Sequence, residues 1–343
     1  MSIIQSNRIV YLDLIRVLSC MLIVLMHSPH AEGGAPGYIV VPIYFITAAG
    51  LCLFFMVSGT LLLPVKTDTF TFLKKRMGKI LVPLLFWTLF YMGVSLAFGE
   101  KTWGEVGHNL LSIPFTRQGH GVLWFLYVLI GLYLLSPIIS PMLQKASKKE
   151  LQFYLLLWGI TLCYPLLAPF VELTTDTYGI LYYFSGFIGY FVLGYYLHNY
   201  KPKMRKWGVA VLIMIPIAMF VAFNAVGAYK QFSELFWYEG LMVAMLCVAF
   251  FCGAKIITDK FPRIGGGKFL TVLSNCTFGV YLMHVFIFTR LFGNSDFVVH
   301  SIGGVGQILI TWTGTLILSF VITWLISNLP YSEYIIGFTS RQK

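Results

Sequence analysis

Asp13, Arg16 and His27 stand within one hydrophobic stretch, YLDLIRVLSCMLIVLMHS, running from Tyr11 to Ser28. Eighteen residues of helix rise about 27 Å, close to the hydrocarbon thickness of a bilayer. At roughly 100° per residue, the steps from Arg16 to His27 make three turns plus about 20°. The two side chains therefore share a face, about 16 Å apart along the axis. Asp13 sits one turn before Arg16 on the same side. Ionisable groups inside a membrane helix are expensive, so they face a protein interior or a wet cavity and are the first candidates for function. A neutral imidazole near pH 7 takes a proton from a hydroxyl nucleophile. Two plainer roles compete: an interfacial Asp13–Arg16 ion pair that snorkels, and a His27 that hydrogen-bonds a loop carbonyl.

Other segments carry further candidates. FLKKRMGKILVP, Phe72 to Pro83, places Arg76 and Lys79 three residues apart, with Lys75 beside them. Such a cationic cluster suits a phosphate-rich ligand, and arginine binds phosphate in a bidentate way. Simple anchoring of a membrane protein fits the same residues equally well. His120 precedes Trp124 in GHGVLWFLYVLIGLYLLSP. Trp124 reads either as an interfacial belt residue or, with His120, as part of a sugar-binding cavity mouth. His284, in SNCTFGVYLMHVFIFTR, falls in the outer half of its span and needs a partner there. Glu239 lies just inside another span and is a candidate partner for one of these histidines. The six cysteines all fall in apolar segments, with neither metal-ligand spacing nor a disulfide framework, so no metal is expected.

The elements that must hold these residues are membrane helices. Hydrophobic residues make up 58% of the 343 and charged residues 11%, against about a quarter charged in a soluble domain. Charges inside the first apolar run argue against a cleaved signal peptide. Ten spans are expected, about 9–28, 39–63, 79–98, 122–141, 151–169, 178–198, 207–226, 234–255, 268–290 and 304–328. Nineteen of the 24 Lys and Arg residues fall at the termini and in the even-numbered connections. Only Lys101, Arg117, Lys230 and Arg290 fall in the odd ones. The positive-inside rule puts both termini and every even connection in the cytoplasm. The net charge of +11 is then mostly a topology signal and calls for no nucleic-acid partner. The expected fold is an all-α, polytopic transmembrane bundle, residues 1–343 forming one membrane-embedded domain. No internal repeat of the kind common in transporters is evident.

The pattern of Asp13, Arg16 and His27 resembles the signature of the acyltransferase-3 family of integral membrane proteins. FFMVSGTLL, Phe54 to Leu62, is similar to the family's phenylalanine-rich segment with Ser58 and Gly59. FLKKRMGKILVP resembles its paired-arginine motif before a proline, with Lys79 where the second arginine usually stands. VLWFLYVLIGLYLLSP and SNCTFGVYLMH also resemble family segments, in order. The resemblance implies O-acylation of a cell-envelope glycan, lipid-linked saccharide or related extracytoplasmic acceptor, at the inner (cytoplasmic) membrane of a bacterial cell. It implies a cytoplasmic acyl-CoA donor, most often acetyl-CoA, and no appended esterase-like domain is expected. On this reading Arg76, Lys79 and Lys75 bind the donor phosphates, and His27 is general base or transient acyl carrier. Asp13 holds Arg16. His120, Trp124, His284 and Glu239 flank the acceptor, and Ser58 and Gly59 allow close helix approach. A transporter or flippase for a lipid-linked glycan or small solute is the competing function. A sensor or structural membrane protein fits the line of polar groups less well. The oligomeric state stays open.

Overall fold

The computed structural model describes residues 8–29, 35–112, 118–167, 170–171, 179–202, 204–262, 267–293, 295, 297–298, 302 and 304–340, without the side chains of 112 and 118–120. Among these residues the secondary structure is helical throughout. The helices are α1 (Val10–His27), α2 (Gly37–Leu62), α3 (Thr69–Ala97), α4 (Trp103–Ser112), α5 (Trp124–Lys145), α6 (Lys148–Thr161), α7 (Ile188–Tyr200), α8 (Lys206–Ala225), α9 (Leu241–Lys260), α10 (Lys268–Ile287), α11 (Gly304–Ser327) and α12 (Glu333–Ile336). Among the described residues, eight segments are helical, long and apolar enough to cross a membrane. The protein is an all-α, polytopic membrane bundle.

The fifth and sixth expected spans take a different form. The first becomes α6, only 14 residues, followed by a 3-10 turn at Tyr164–Leu166. The second becomes a 3-10 turn at Gly179–Phe184 and then α7, 13 residues. Helices of that length rise about 20 Å, short of the hydrocarbon core. Pro165 lies in the first interruption, and Gly186 sits at φ +86°, a conformation that ends regular helix. The Trp158 indole N–H donates to the Gly186 carbonyl at 3.0 Å, tying the two broken elements together.

Local signals set the helix starts. The Asp68 carboxylate accepts from the Thr71 N–H at 3.0 Å and caps α3. That bond holds the exposed carboxyl below the usual range. Ser147 and Glu150 form a reciprocal capping box at the start of α6. With its cap at Asp68, α3 begins ten residues before the expected span. Its 29 residues rise about 43 Å, so its lysine-rich first turns are helix and extend past a core about 30 Å thick.

The chain forms two compact units. The first takes Met1–Met26, Pro36–Leu63 and Pro141–Ser274. In it α2 packs along α7 at very close range. A methyl group built on Gly59 would stand 1.8 Å from the Phe191 carbonyl oxygen, and one on Gly194 would stand 2.0 Å from that of Met56. Each helix thus presents a glycine to the other's backbone, which is how membrane helices gain contact when lipid competes equally for apolar surface.

The second unit takes His27–Ala35, Pro64–Ser140 and Asn275–Lys343. In it the Trp87 indole of α3 donates to the Ile335 carbonyl of α12 at 2.9 Å. Helix α11 shows the polarity that a lipid solvent demands. Gln307, Thr311, Thr315, Ser319, Thr323 and Ser327 recur every fourth residue and are all buried, while Leu309, Ile317, Val321 and Leu325 are exposed. Polar groups turn inward and apolar groups turn toward the hydrocarbon.

The glycine contact gives a first prediction. Gly59→Ala forces α2 and α7 apart and lowers stability by about 1–3 kcal/mol. Ala at Gly78, which has nothing within 4 Å of a built methyl, leaves it unchanged. Thermal unfolding of both variants in one detergent checks the contrast, and equal melting temperatures for Gly59→Ala and wild type would refute it.

Candidate active site

The polar cluster of α1 is built in the first unit. Asp13 is 5% exposed. Its Oδ1 accepts from the Ser274 hydroxyl at 2.7 Å and from Arg8 Nη2 at 3.2 Å, and Arg8 Nε bonds the second oxygen. Arg16 stands farther off, Nη1 to Oδ1 at 3.7 Å. The expected pairing of Asp13 with Arg16 is present at this longer range. The tighter cation is Arg8, read from sequence only as a topology charge, whose Nη2 also donates to the Thr271 carbonyl at 3.3 Å. Three residues on, Arg16 shares a face with Asp13, and its side chain is 32% exposed against 31% for that of Arg8.

The histidines meet in the second unit. The rings of His27 and His284 lie 5.1 Å apart, centroid to centroid, tilted by 52°. His284 is fully buried, and its Nδ1 lies 2.7 Å from the Tyr281 carbonyl one turn earlier. A carbonyl only accepts, so Nδ1 carries the proton and Nε2 is an acceptor. Nε2 has no hydrogen-bond partner among the described residues. The Tyr281 hydroxyl donates to the Val122 carbonyl, which fixes the 3-10 turn Gln118–Leu123 against α10. His120 belongs to that turn, but its side chain lies outside the described residues. Beside His284 stand the Tyr281 carbonyl, which takes its Nδ1 proton, and the His27 ring, which packs against it.

At the start of α3 an open cleft of about 590 Å³ is lined by Lys74, Lys75, Gly78 and Lys79. Its other wall is the C-terminal segment, with Glu333, Tyr334, Phe338 and Thr339. Lys75 and Lys79 were expected in a phosphate site, and Lys74 joins them. Arg76 is not among the lining residues. Lys74, Lys75, Gly78 and Lys79 span an arc of about 140° on the helix, and Arg76 lies about 60° beyond Lys79. Gly337, at φ +70°, turns the chain after α12 and so shapes the far wall. Three ammonium groups facing an aromatic wall suit a ligand with phosphates at one end and a ring at the other.

The remaining candidates lie elsewhere. Trp124 opens α5 in the second unit. Ser58 and Glu239 belong to the first. Gly59, beside Ser58, makes the α2–α7 contact described above. Glu239 follows Tyr238, whose carbonyl accepts from the Tyr190 hydroxyl at 2.7 Å and from the Cys52 thiol at 3.5 Å. The six cysteines form no disulfide among the described residues, and five of them are buried. Sequence reasoning missed Arg8, Ser274, Lys74 and the C-terminal wall. Only Arg8 and Lys74 carried a signal, as charges beside residues already singled out.

The described residues form a polytopic helical bundle in which a buried His284 meets the half-buried His27 and three lysines line a separate cleft. A family model described as an acyltransferase domain matches residues 9–327, and the chain belongs to that family, acyltransferase-3. It is a membrane acyltransferase, transferring groups other than aminoacyl groups. No curated protein and no solved structure matched the chain.

The Asp13 cluster orders the effects of its members. Asp13→Ala leaves Arg8 without its carboxylate and costs about 2–3 kcal/mol once screening of the partly exposed arginine is allowed for. Arg8→Ala is expected to cost more than Arg16→Ala, because Arg16 is the more distant partner. Melting temperatures of the three purified variants test the order, and a larger loss for Arg16→Ala than for Arg8→Ala would reverse it.

Proposed function

We propose that the protein moves an acyl group, acetyl in the simplest case, from cytoplasmic acyl-CoA to a hydroxyl of an extracytoplasmic cell-envelope glycan or similar saccharide. The termini and the lysine cleft face the cytoplasm, and the chain works as one membrane-embedded enzyme. The observation that supports this best is the arrangement along α3. The lysine cleft occupies its first turns, while the Tyr91 hydroxyl, farther along, donates to the Leu282 carbonyl at 2.8 Å, two residues from His284. Lysine cleft and histidine level are therefore separated by about 20 Å along one helix. That separation suits a donor whose nucleotide stays at one end while its thioester arm reaches inward.

In this scheme Lys74, Lys75 and Lys79 hold the donor phosphates, and Arg76 adds to the local positive potential. His27 takes the proton of the acceptor hydroxyl. The oxygen attacks the thioester carbonyl, the new C–O bond forms, the C–S bond breaks, and the proton passes to the departing CoA thiolate. His284, its Nδ1 proton committed to Tyr281, offers Nε2 as an acceptor that orients the His27 ring or the incoming hydroxyl. Asp13 and Arg16 order the start of α1, and Trp124 and His120 stand at the acceptor's entrance. Ser58 is assigned to helix packing and Glu239 to the surroundings of the acceptor.

His27→Ala should lower transfer from acetyl-CoA by 10²–10⁴-fold, the usual range for a lost general base, while melting temperature and CoA affinity hold. Replacing Lys75 and Lys79 together by Ala should weaken CoA binding more than Arg76→Ala does, and added salt should weaken the wild type. Detergent-solubilised protein is the right material, because a transporter needs a sealed compartment and a transferase does not. A folded His27→Ala enzyme working at the wild-type rate would end this assignment and favour a transporter.

A further inference from the structure

A second cleft, of about 310 Å³, lies at the other end of α3 in the second unit. Tyr91, Ser95 and Glu100 line it from α3 and the turn that follows. Phe286, Thr289 and Arg290 line it from the end of α10 and the π-helical segment Phe288–Gly293. Apart from Tyr91, whose bond to Leu282 marks the histidine level, none of these residues has a place in the scheme above. The π segment itself invites attention, since such turns are rare and gather at functional sites.

Arg290 is the informative residue. Positive-inside anchoring does not explain it, for it is one of only four basic residues in the connections where such residues are scarce. Its guanidinium is held on two sides. Nη2 donates to Glu100 Oε1 at 2.5 Å, and Cζ lies 4.0 Å from the centre of the Phe98 ring. The Arg290 side chain is 16% exposed and that of Glu100 47% exposed. The pair is fixed but open to the cleft. Arg290 follows His284 by six residues, about 9 Å along the helix.

The pairing decides what the cleft would bind. A lone arginine selects a carboxylate or a phosphate. Here Glu100 offsets the charge, so an anion gains little. What remains is a fork of N–H donors beside a carboxylate acceptor, with the aromatic rings of Tyr91 and Phe286 in the same wall. Donor and acceptor side by side match adjacent hydroxyl groups, and the rings match the C–H face of a sugar. The volume is at the lower end for a ligand pocket, room for one ring rather than a chain. We infer that this cleft is a saccharide subsite, in which Arg290 and Glu100 grip a neutral sugar unit of the acceptor and set which hydroxyl reaches the histidine pair. The inference rests on the acyl-transfer reading. Arg290 and Glu100 are positioning residues in it, and the reacting atoms stay with the histidines.

A simple tie between α10 and the turn after α3 is the competing role of the pair, and a charge swap separates the two. Membranes containing the full-length protein are given [14C]acetyl-CoA, and label is counted in the envelope saccharide fraction. CoA binding and melting temperature are measured on the same variants after purification. Arg290→Gln should lower labelling roughly 10- to 100-fold, the loss expected for a hydrogen bond from a charged donor, with CoA affinity unchanged. The swap Glu100→Arg with Arg290→Glu should recover the melting temperature but not the labelling. Ser95→Trp, which fills the cleft and leaves both charges, should also lose labelling while still binding CoA. Wild-type labelling in Ser95→Trp, or labelling recovered by the charge swap, overturns the subsite. If the wild type binds CoA yet labels no saccharide, the acyl-transfer reading fails instead.

Discussion

A carboxylate cannot remain charged in a hydrocarbon interior unless the protein surrounds it with cations and donors. Asp13 meets that condition through Arg8, Arg16 and Ser274. Much follows from this one burial. It fixes the first turn of α1 against the start of α10, because Ser274 and Thr271 both bond to the cluster. It also fixes the rotation of α1 about its axis. That rotation determines which way every later residue of the helix points, His27 at its far end included.

The same solvent constraint shapes the rest of the chain. Inside a bilayer, apolar surface gains nothing by leaving lipid for protein, so helices need other reasons to associate. The glycines of α2 and α7 supply one, by letting two backbones come within van der Waals range. The hydroxyl ladder of α11 is another kind of reason, since Thr and Ser at every fourth position keep polar atoms off the lipid face. Where the sequence breaks a span, as at Pro165 and Gly186, the indole of Trp158 supplies the bond that the interrupted helix lacks.

Two clefts lie at opposite ends of one helix. The start of α3 carries lysines and faces an aromatic C-terminal wall. Its end faces a paired arginine and glutamate. The His27 and His284 rings meet near the level of Tyr91, which bonds the Leu282 carbonyl and lines the second cleft. An enzyme that takes its donor from one side of a membrane and its acceptor from the other needs two entrances and one place where they meet. This arrangement of charge and burial is suited to that task.

The sequence alone determined the class of protein. An apolar composition, sparse charge and long apolar runs leave a membrane bundle as the only economical fold, because each backbone amide must find its partner within a helix. Periodicity was enough to put Asp13, Arg16 and His27 on one face, because a helix converts spacing into direction. The family was legible for the same reason, its motifs being local strings. What spacing cannot express is which helices touch. That Arg8 rather than Arg16 binds Asp13 most closely depends on where α10 begins. That His284 meets His27 is a contact between residues 257 positions apart in the chain. That Arg76 misses the cleft depends on which face of α3 the C-terminal segment covers. Each of these was decided by packing between segments far apart in the chain, where the energy lies in contacts that no single stretch contains.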